Sequence, residues 1–419
     1  MSASATRFPL WWRAFGLCFF GYVAYYLGRS NMAAVQSLIR KDLSLSAEDI
    51  GTLFSVFTGT YAAGKLVNGI LTDRLGGRLL FVVGLVGSAI CNGWVGSAQG
   101  FVPMLAAWGL NAFFQTMGWP ALIKIMSDWL TPQSLGSAMG IMSLNYLVGA
   151  TCSTQLARFL TVDHAMPWPT AFITPAAIML AFALLIGFKL PARPAAPPPR
   201  GTGSLAQTPL AATSESWARR LWAVVSSPRI LCLLPMSFLI TLIRKFFDDW
   251  GVDLVEGWGH GADAANLMSW YFTGGIVGTI VTGIVTDRVF NGRRGPYVLL
   301  SLLALMLLFG FMIHRVNSGA LSAQALAWIL AGIGFFMLGP YSLMGGVAAI
   351  QYGSPARAGT ATAVIDFVGY CGAILSGYGA ARFRSVFGLP PLLLLFLAMI
   401  GVTCLTIIVF TRWEARADR

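Results

Sequence analysis

Residues 69–78 read GILTDRLGGR, and 214 positions later residues 283–294 read GIVTDRVFNGRR. Each copy closes an apolar run with a glycine, an Asp-Arg pair and a basic turn, so the same helix end is written twice. Working outward, Arg29 and Arg244 lie 215 positions apart, and Val148-Gly149 returns as Val368-Gly369. Offsets that drift by a few residues are what loop insertions leave after a duplication. Two pseudo-symmetric halves are therefore expected.

What each half is made of follows from composition. The chain has 419 residues, of which 56% are hydrophobic and 11% charged, with mean hydropathy +0.71. Soluble domains carry about 25% charge, so this apolar surplus needs a lipid bilayer as its solvent. Apolar stretches bounded by Gly, Pro and charge fall at about 12–38, 48–73, 77–98, 101–130, 134–160, 168–189, 229–255, 263–287, 296–316, 321–352, 358–381 and 390–411. Twelve stretches long enough to span hydrocarbon leave no room for a soluble catalytic domain. The expected fold is all-α: a six-helix bundle over 1–190, a cytoplasmic linker over 191–227, and a second six-helix bundle over 228–419. The linker contains PARPAAPPPRGTGS, then Trp217, Leu221 and Val224 at the spacing of a short amphipathic helix. The run after Trp12 continues past Arg29 with no A-x-A site and reads as a first span rather than a removed signal peptide.

The net charge of +12 would suggest nucleic acid in a soluble protein; here it sorts by topology. With both termini inside, 17 of the 28 basic residues face the cytoplasm, six face the other side and five fall within spans. Six scattered cysteines without CxxC spacing, and three histidines at helix ends or in loops, offer neither a disulfide framework nor a metal site. No cofactor is expected, and no nucleophile, base and metal constellation of an enzyme is present.

The five cations within spans are the informative residues, because a central Arg or Lys costs about 2.5–3.5 kcal/mol even on a lenient insertion scale. Arg29 shares a helix face with Tyr26 and Tyr22, and the repeat gives it a counterpart in Arg244. A guanidinium on its own reads equally as half of a structural ion pair. Two at repeat-equivalent positions suit a tetrahedral dianion, since each fork binds phosphate oxygens bidentately and stays charged. Lys65, with Tyr61 and Asn68 on its face, either lines a cavity or snorkels. Lys124 with Asp128 reads as a structural pair or gate. Asp248 and Asp249 stand four residues after Arg244 and Lys245, placed either to hold those cations when a site is empty or to cap the helix. Asp366, with Tyr370 one turn on, pairs a cavity lysine or carries a proton. In the duplicated turns, Gly69, Asp73, Arg74 and Arg78, matched by Gly283, Asp287, Arg288 and Arg293, read as gating contacts: glycine for close packing, Asp and Arg for charge contacts at helix ends. A duplicated six-plus-six membrane protein is the arrangement of a secondary transporter.

These motifs carry a resemblance. Asp-Arg turns in a twelve-span duplicate are similar to those of the major facilitator superfamily. Within it FFGYVAYYLGRSN (19–31), TYAAGKLVNG (60–69), FQTMGWP (114–120), LIRKFFDDW (242–250) and AGTATAVIDFVGYCGA (358–373) resemble the organophosphate:phosphate antiporters, the group of glycerol-3-phosphate and hexose-phosphate transporters. The resemblance implies that Arg29 and Arg244 bind phosphate, that Lys65, Tyr22 and Tyr26 line the site, and that Gln115 and Trp119 supply the fourth-helix contacts. Two departures stand out: Ser30 follows Arg29 where the family often has lysine, and the family's fifth-helix motif, aligned with Leu135–Ala150, lacks its Arg, Trp, both Asn and its His, the histidine lining the glycerol-3-phosphate site being replaced by Tyr146. Phosphate recognition is thus expected with a different organic moiety.

The expected activity is exchange of an organophosphate, such as a sugar phosphate, for inorganic phosphate by a monomer in the inner membrane, both termini cytoplasmic. Two rivals stand beside it: a sensor of extracellular sugar phosphate, because receptors share this family's fold, and a proton-coupled carrier using Asp366.

Overall fold

The computed structural model describes residues 7–130, 138–139, 141–190, 222, 224–290, 295–319, 321–343 and 358–417. All regular structure among them is helical. In chain order the helices are α1 (Arg7–Leu43), α2 (Ala47–Leu75), α3 (Gly77–Ser97), α4 (Phe101–Gln115), α5 (Gly118–Trp129), α6 (Asn145–Arg158), α7 (Thr170–Lys189), α8 (Pro228–Gly257), α9 (Ala264–Arg288), α10 (Gly295–Asn317), α11 (Ala323–Leu343), α12 (Ala358–Phe387) and α13 (Leu389–Ala417). A π-helical turn, Phe159–Asp163, extends α6, and a 3-10 turn, Gly261–Asp263, precedes α9. Seven of the described helices are long and apolar enough to cross a bilayer. Helices α1, α2 and α8 are at least as long, but they carry the charged and polar residues singled out above.

Local chemistry sets the helix boundaries. Ser46 and Asp49 form a capping box before α2, with Asp49 N donating to Ser46 Oγ (3.0 Å) and Ser46 N to Asp49 Oδ2 (2.9 Å). Glu48 and Asp49 place negative charge at the positive end of the helix. The turn into α3 needs two glycines. Gly76 has φ of 87°, which favours glycine, and a Cβ on Gly77 would come within 2.6 Å of the Ala121 carbonyl of α5. The expected span over 101–130 is broken in two. Pro120 has no N–H to give the Thr116 carbonyl, and Thr116 and Met117 turn between α4 and α5.

The chain divides into two compact units, Met1–Ser44 with Val56–Thr213, and Leu45–Ser55 with Ser214–Arg419. In the first, α1 packs on α6 and α7, and α3 on α7, α4 and α5, around Leu80, Phe81, Leu85, Met126, Met179 and Ile186. In the second, α9 packs on α11, α8 on α12, and α10 on α13. The α9–α11 contact is backbone to backbone, since Gly274 and Gly278 lie against Ala331 and Phe335, and Gly334 against the Tyr271 carbonyl. Small residues permit that approach where water supplies no hydrophobic drive between helices. The residues at 45–55 lie on α12, with Ser55 Oγ donating to the Ile374 carbonyl (2.7 Å) and accepting from Tyr378 N (2.9 Å). Trp217 and Leu221 of the expected linker helix, and Arg293, fall outside the described residues.

Candidate phosphate-binding residues in each unit

In the first unit α1 presents Tyr22, Tyr26 and Arg29 on one face. The Arg29 guanidinium carbon lies 4.3 Å from the Tyr61 ring centre, 5.1 Å from Tyr26 and 5.6 Å from Phe57. Phe57, Tyr61 and Lys65 follow one another at i+4 on α2. The first two rings stack at 6.2 Å, and Lys65 Nζ is 5.9 Å from Tyr61. A cation over an aromatic face gains about 0.5–2 kcal/mol, more as water is removed. From Tyr22 the ring contacts continue to Trp119 on α5 (5.4 Å) and Tyr26 (5.7 Å), and from Tyr26 to Tyr146 on α6 (6.1 Å). Arg29, Lys65, Tyr22, Tyr26, Trp119 and Tyr146 thus form one connected group with a half-buried guanidinium. Gln115 stands apart from it: it is buried, and its Nε2 donates to the Tyr25 carbonyl (2.9 Å) and Ser88 Oγ (2.7 Å).

In the second unit Arg244 lies 4.2 Å above the Tyr341 ring of α11. Its Nη2 is 3.3 Å from Asp248 Oδ2, whose carboxylate accepts a 3.4 Å bond from Tyr271 OH. Lys245 is ion-paired with the buried Asp249. Arg384 of α12 pairs with Asp253, one turn further along α8. Asp366 and Tyr370 are half-buried one turn apart on α12. Lys124 stands 3.9 Å from Asp128.

The duplicated turns differ from their expected packing. A Cβ on Gly69 or Gly283 meets no described atom within 4 Å; the close approach falls to Gly77 instead. Arg78 donates to the Gly187 carbonyl in the last turn of α7, an end where a cation is favoured. Arg74, Asp287 and Arg288 are exposed, and Asp73 lies in the last turns of α2.

Spacing alone grouped Arg29 with its tyrosines and Lys65 with Tyr61. Phe57 was legible by the same rule, one further turn along that face. Tyr341 left no such signal, because it reaches Arg244 from another helix.

A family model described as Major Facilitator Superfamily matches residues 18–377. The chain belongs to this superfamily. Its members are membrane transporters, which makes this chain an integral, multi-pass membrane protein rather than an enzyme. A probable hexose phosphate transport protein of Chlamydia pneumoniae is 26% identical over 423 residues, covering 96% of this chain and 91% of that one. The membrane sensor protein UhpC of Salmonella typhimurium is 26% identical over 404 residues, covering 94% and 90%. Both agree with the antiporter-group resemblance. A bacterial homologue of the human lysosomal transporter Spinster, inward-facing and unoccupied, superposes with TM-score 0.77 at 15% identity, covering 97% of this chain and 98% of that one. At that identity the likeness concerns the fold.

Proposed function

We propose that this protein carries a phosphorylated organic anion, such as a sugar phosphate, across the inner membrane in exchange for inorganic phosphate. The observation that carries the reading is the duplicated arginine. Arg29 and Arg244 occupy repeat-equivalent positions, and each guanidinium lies over tyrosine rings of its own unit. The rings add a cation–π contribution at both positions, and at Arg244 the Asp248 carboxylate stands beside the ring. Both arginines are assigned to the ligand's phosphoryl group, an assignment that rests on the internal repeat. Lys65 supplies a third positive charge, and Tyr22, Tyr26, Trp119, Tyr146 and Tyr370 face the organic moiety. Tyr146, where the group has histidine, favours an ester other than glycerol 3-phosphate.

A dianion bound by both halves lowers the barrier between inward and outward states, whereas the empty carrier keeps two like charges and reorients slowly. Obligatory exchange follows. The duplicated Asp-Arg turns act in gating, with Arg78 on α7 as one such contact, while Asp248 and Asp249 hold Arg244 and Lys245 when no ligand is bound. A monomer with two bundles, a cytoplasmic linker and cytoplasmic termini completes the proposal.

Competition against phosphate exchange by a panel of phosphate esters tests the substrate class. At least one hexose phosphate is expected to compete better than glycerol 3-phosphate. Equal competition by unphosphorylated sugars contradicts the assignment. The UhpC likeness favours a second reading, a sensor on the same fold, which ligand binding without measurable exchange would select.

A further inference from the structure

One turn of α1, immediately before Arg29, is held by side chains from three other helices. The Tyr25 carbonyl accepts from Gln115 Nε2 of α4 (2.9 Å), and the Leu27 carbonyl from Ser153 Oγ of α6 (3.0 Å). The Gly28 carbonyl accepts from two amides, Asn92 Nδ2 of α3 and Asn111 Nδ2 of α4, both at 3.0 Å. These donors are themselves fixed. Ser88 Oγ donates to Asn111 Oδ1 (2.5 Å) and accepts from Gln115 (2.7 Å), and Asn92 Oδ1 accepts from Asn31 Nδ2 (2.9 Å). Asn31 also donates to the Ala171 carbonyl of α7 (3.0 Å). None of these six side chains is more than 3% exposed. Gly28 is required for the approach: a Cβ there would lie 2.8 Å from Asn92 Nδ2.

A helix of apolar membrane sequence needs no such bonds to satisfy its backbone, because its carbonyls are already used along the helix. Polar side chains bond across membrane helices as part of packing, but here four donors converge on three carbonyls of one turn, the turn that ends at the guanidinium. We propose that Ser88, Asn92, Asn111, Gln115 and Ser153 are positioning residues for phosphate binding. They fix the rotation and depth of α1 so that the Arg29 fork is preset toward its ligand. The inference rests on Arg29 being a phosphate ligand, as proposed above. It predicts a loss common to inorganic phosphate and every ester, because the phosphoryl group rather than the organic moiety depends on Arg29.

The test uses the full chain in proteoliposomes and reads KM and kcat for phosphate exchange, beside the thermal midpoint in detergent. Asn111→Leu keeps the volume and removes both bonds. It should raise KM about tenfold, on the order of one lost charge-assisted contact, for inorganic phosphate and hexose phosphate alike. If Asn111→Leu does not yield folded protein, Ser88→Ala decides by the same criterion, expected at several-fold. Folded protein with a lowered thermal midpoint and KM within twofold of wild type overturns the positioning role and leaves a structural one. Arg29→Lys run in parallel separates the two claims. If it too leaves KM unchanged, the assignment of Arg29 falls. If it raises KM while Asn111→Leu and Ser88→Ala do not, only the positioning proposal falls.

Discussion

At the residue scale, a guanidinium must be kept inside a membrane helix at a cost that its neighbours offset. Arg29 lies among three rings, of which Tyr61 is nearest at 4.3 Å. Tyr61→Leu is expected to weaken phosphate binding by about 0.5–2 kcal/mol, and Tyr61→Phe, which keeps the ring, to weaken it less. Equilibrium binding of labelled phosphate checks both. Arg244 has an acid as well as a ring. With Asp248 3.3 Å from its Nη2, the carboxylate competes with an incoming anion. Asp248→Asn should therefore bind inorganic phosphate more tightly than wild type, while weaker binding would mean that the carboxylate orients the guanidinium. Much of this site was legible, because residues three, four or seven apart on a helix share a face, and that rule groups Arg29 with Tyr26 and Tyr22. The inward commitment of Gln115 was not legible: its partners, the Tyr25 carbonyl and Ser88, lie on α1 and α3. The sequence motif around Gln115 shows a polar residue without its direction.

At the scale of the element, the duplicated turn joins two helices, and its glycines have separate tasks. Gly76 is at φ 87° and ψ 150°, a conformation that costs a residue with a Cβ about 1–3 kcal/mol. Gly76→Ala is accordingly expected to lower the thermal midpoint of the detergent-solubilised protein. Gly69→Ala should not, since no described atom lies within 4 Å of the added carbon and alanine favours a helix interior by about 1 kcal/mol. Unchanged stability with lost exchange in Gly69→Ala would place this glycine in a contact of another conformational state. Repetition made the motif visible, but it did not separate the glycine needed for backbone conformation from the one needed for contact. The break at Thr116–Met117 was obscured in a similar way. Apolar residues continue across Pro120, so hydropathy reports a single stretch where the missing N–H divides α4 from α5.

At the scale of the molecule, composition excluded a soluble enzyme and the repeat implied two like halves. These properties are visible because solvent and duplication act on every segment at once. The skew of basic residues predicts an orientation of its own. Cysteine substituted at Arg200 should react with a membrane-impermeant maleimide only from the cytoplasmic side, and labelling from the outside of intact cells would reverse the topology. Exchange through two arginines is read by counterflow of labelled phosphate in proteoliposomes. Rapid uptake is expected into vesicles preloaded with phosphate, little uptake into empty ones, and loss of counterflow in both Arg29→Lys and Arg244→Lys. Uptake independent of internal phosphate, or full counterflow in either variant, would contradict exchange through the two arginines.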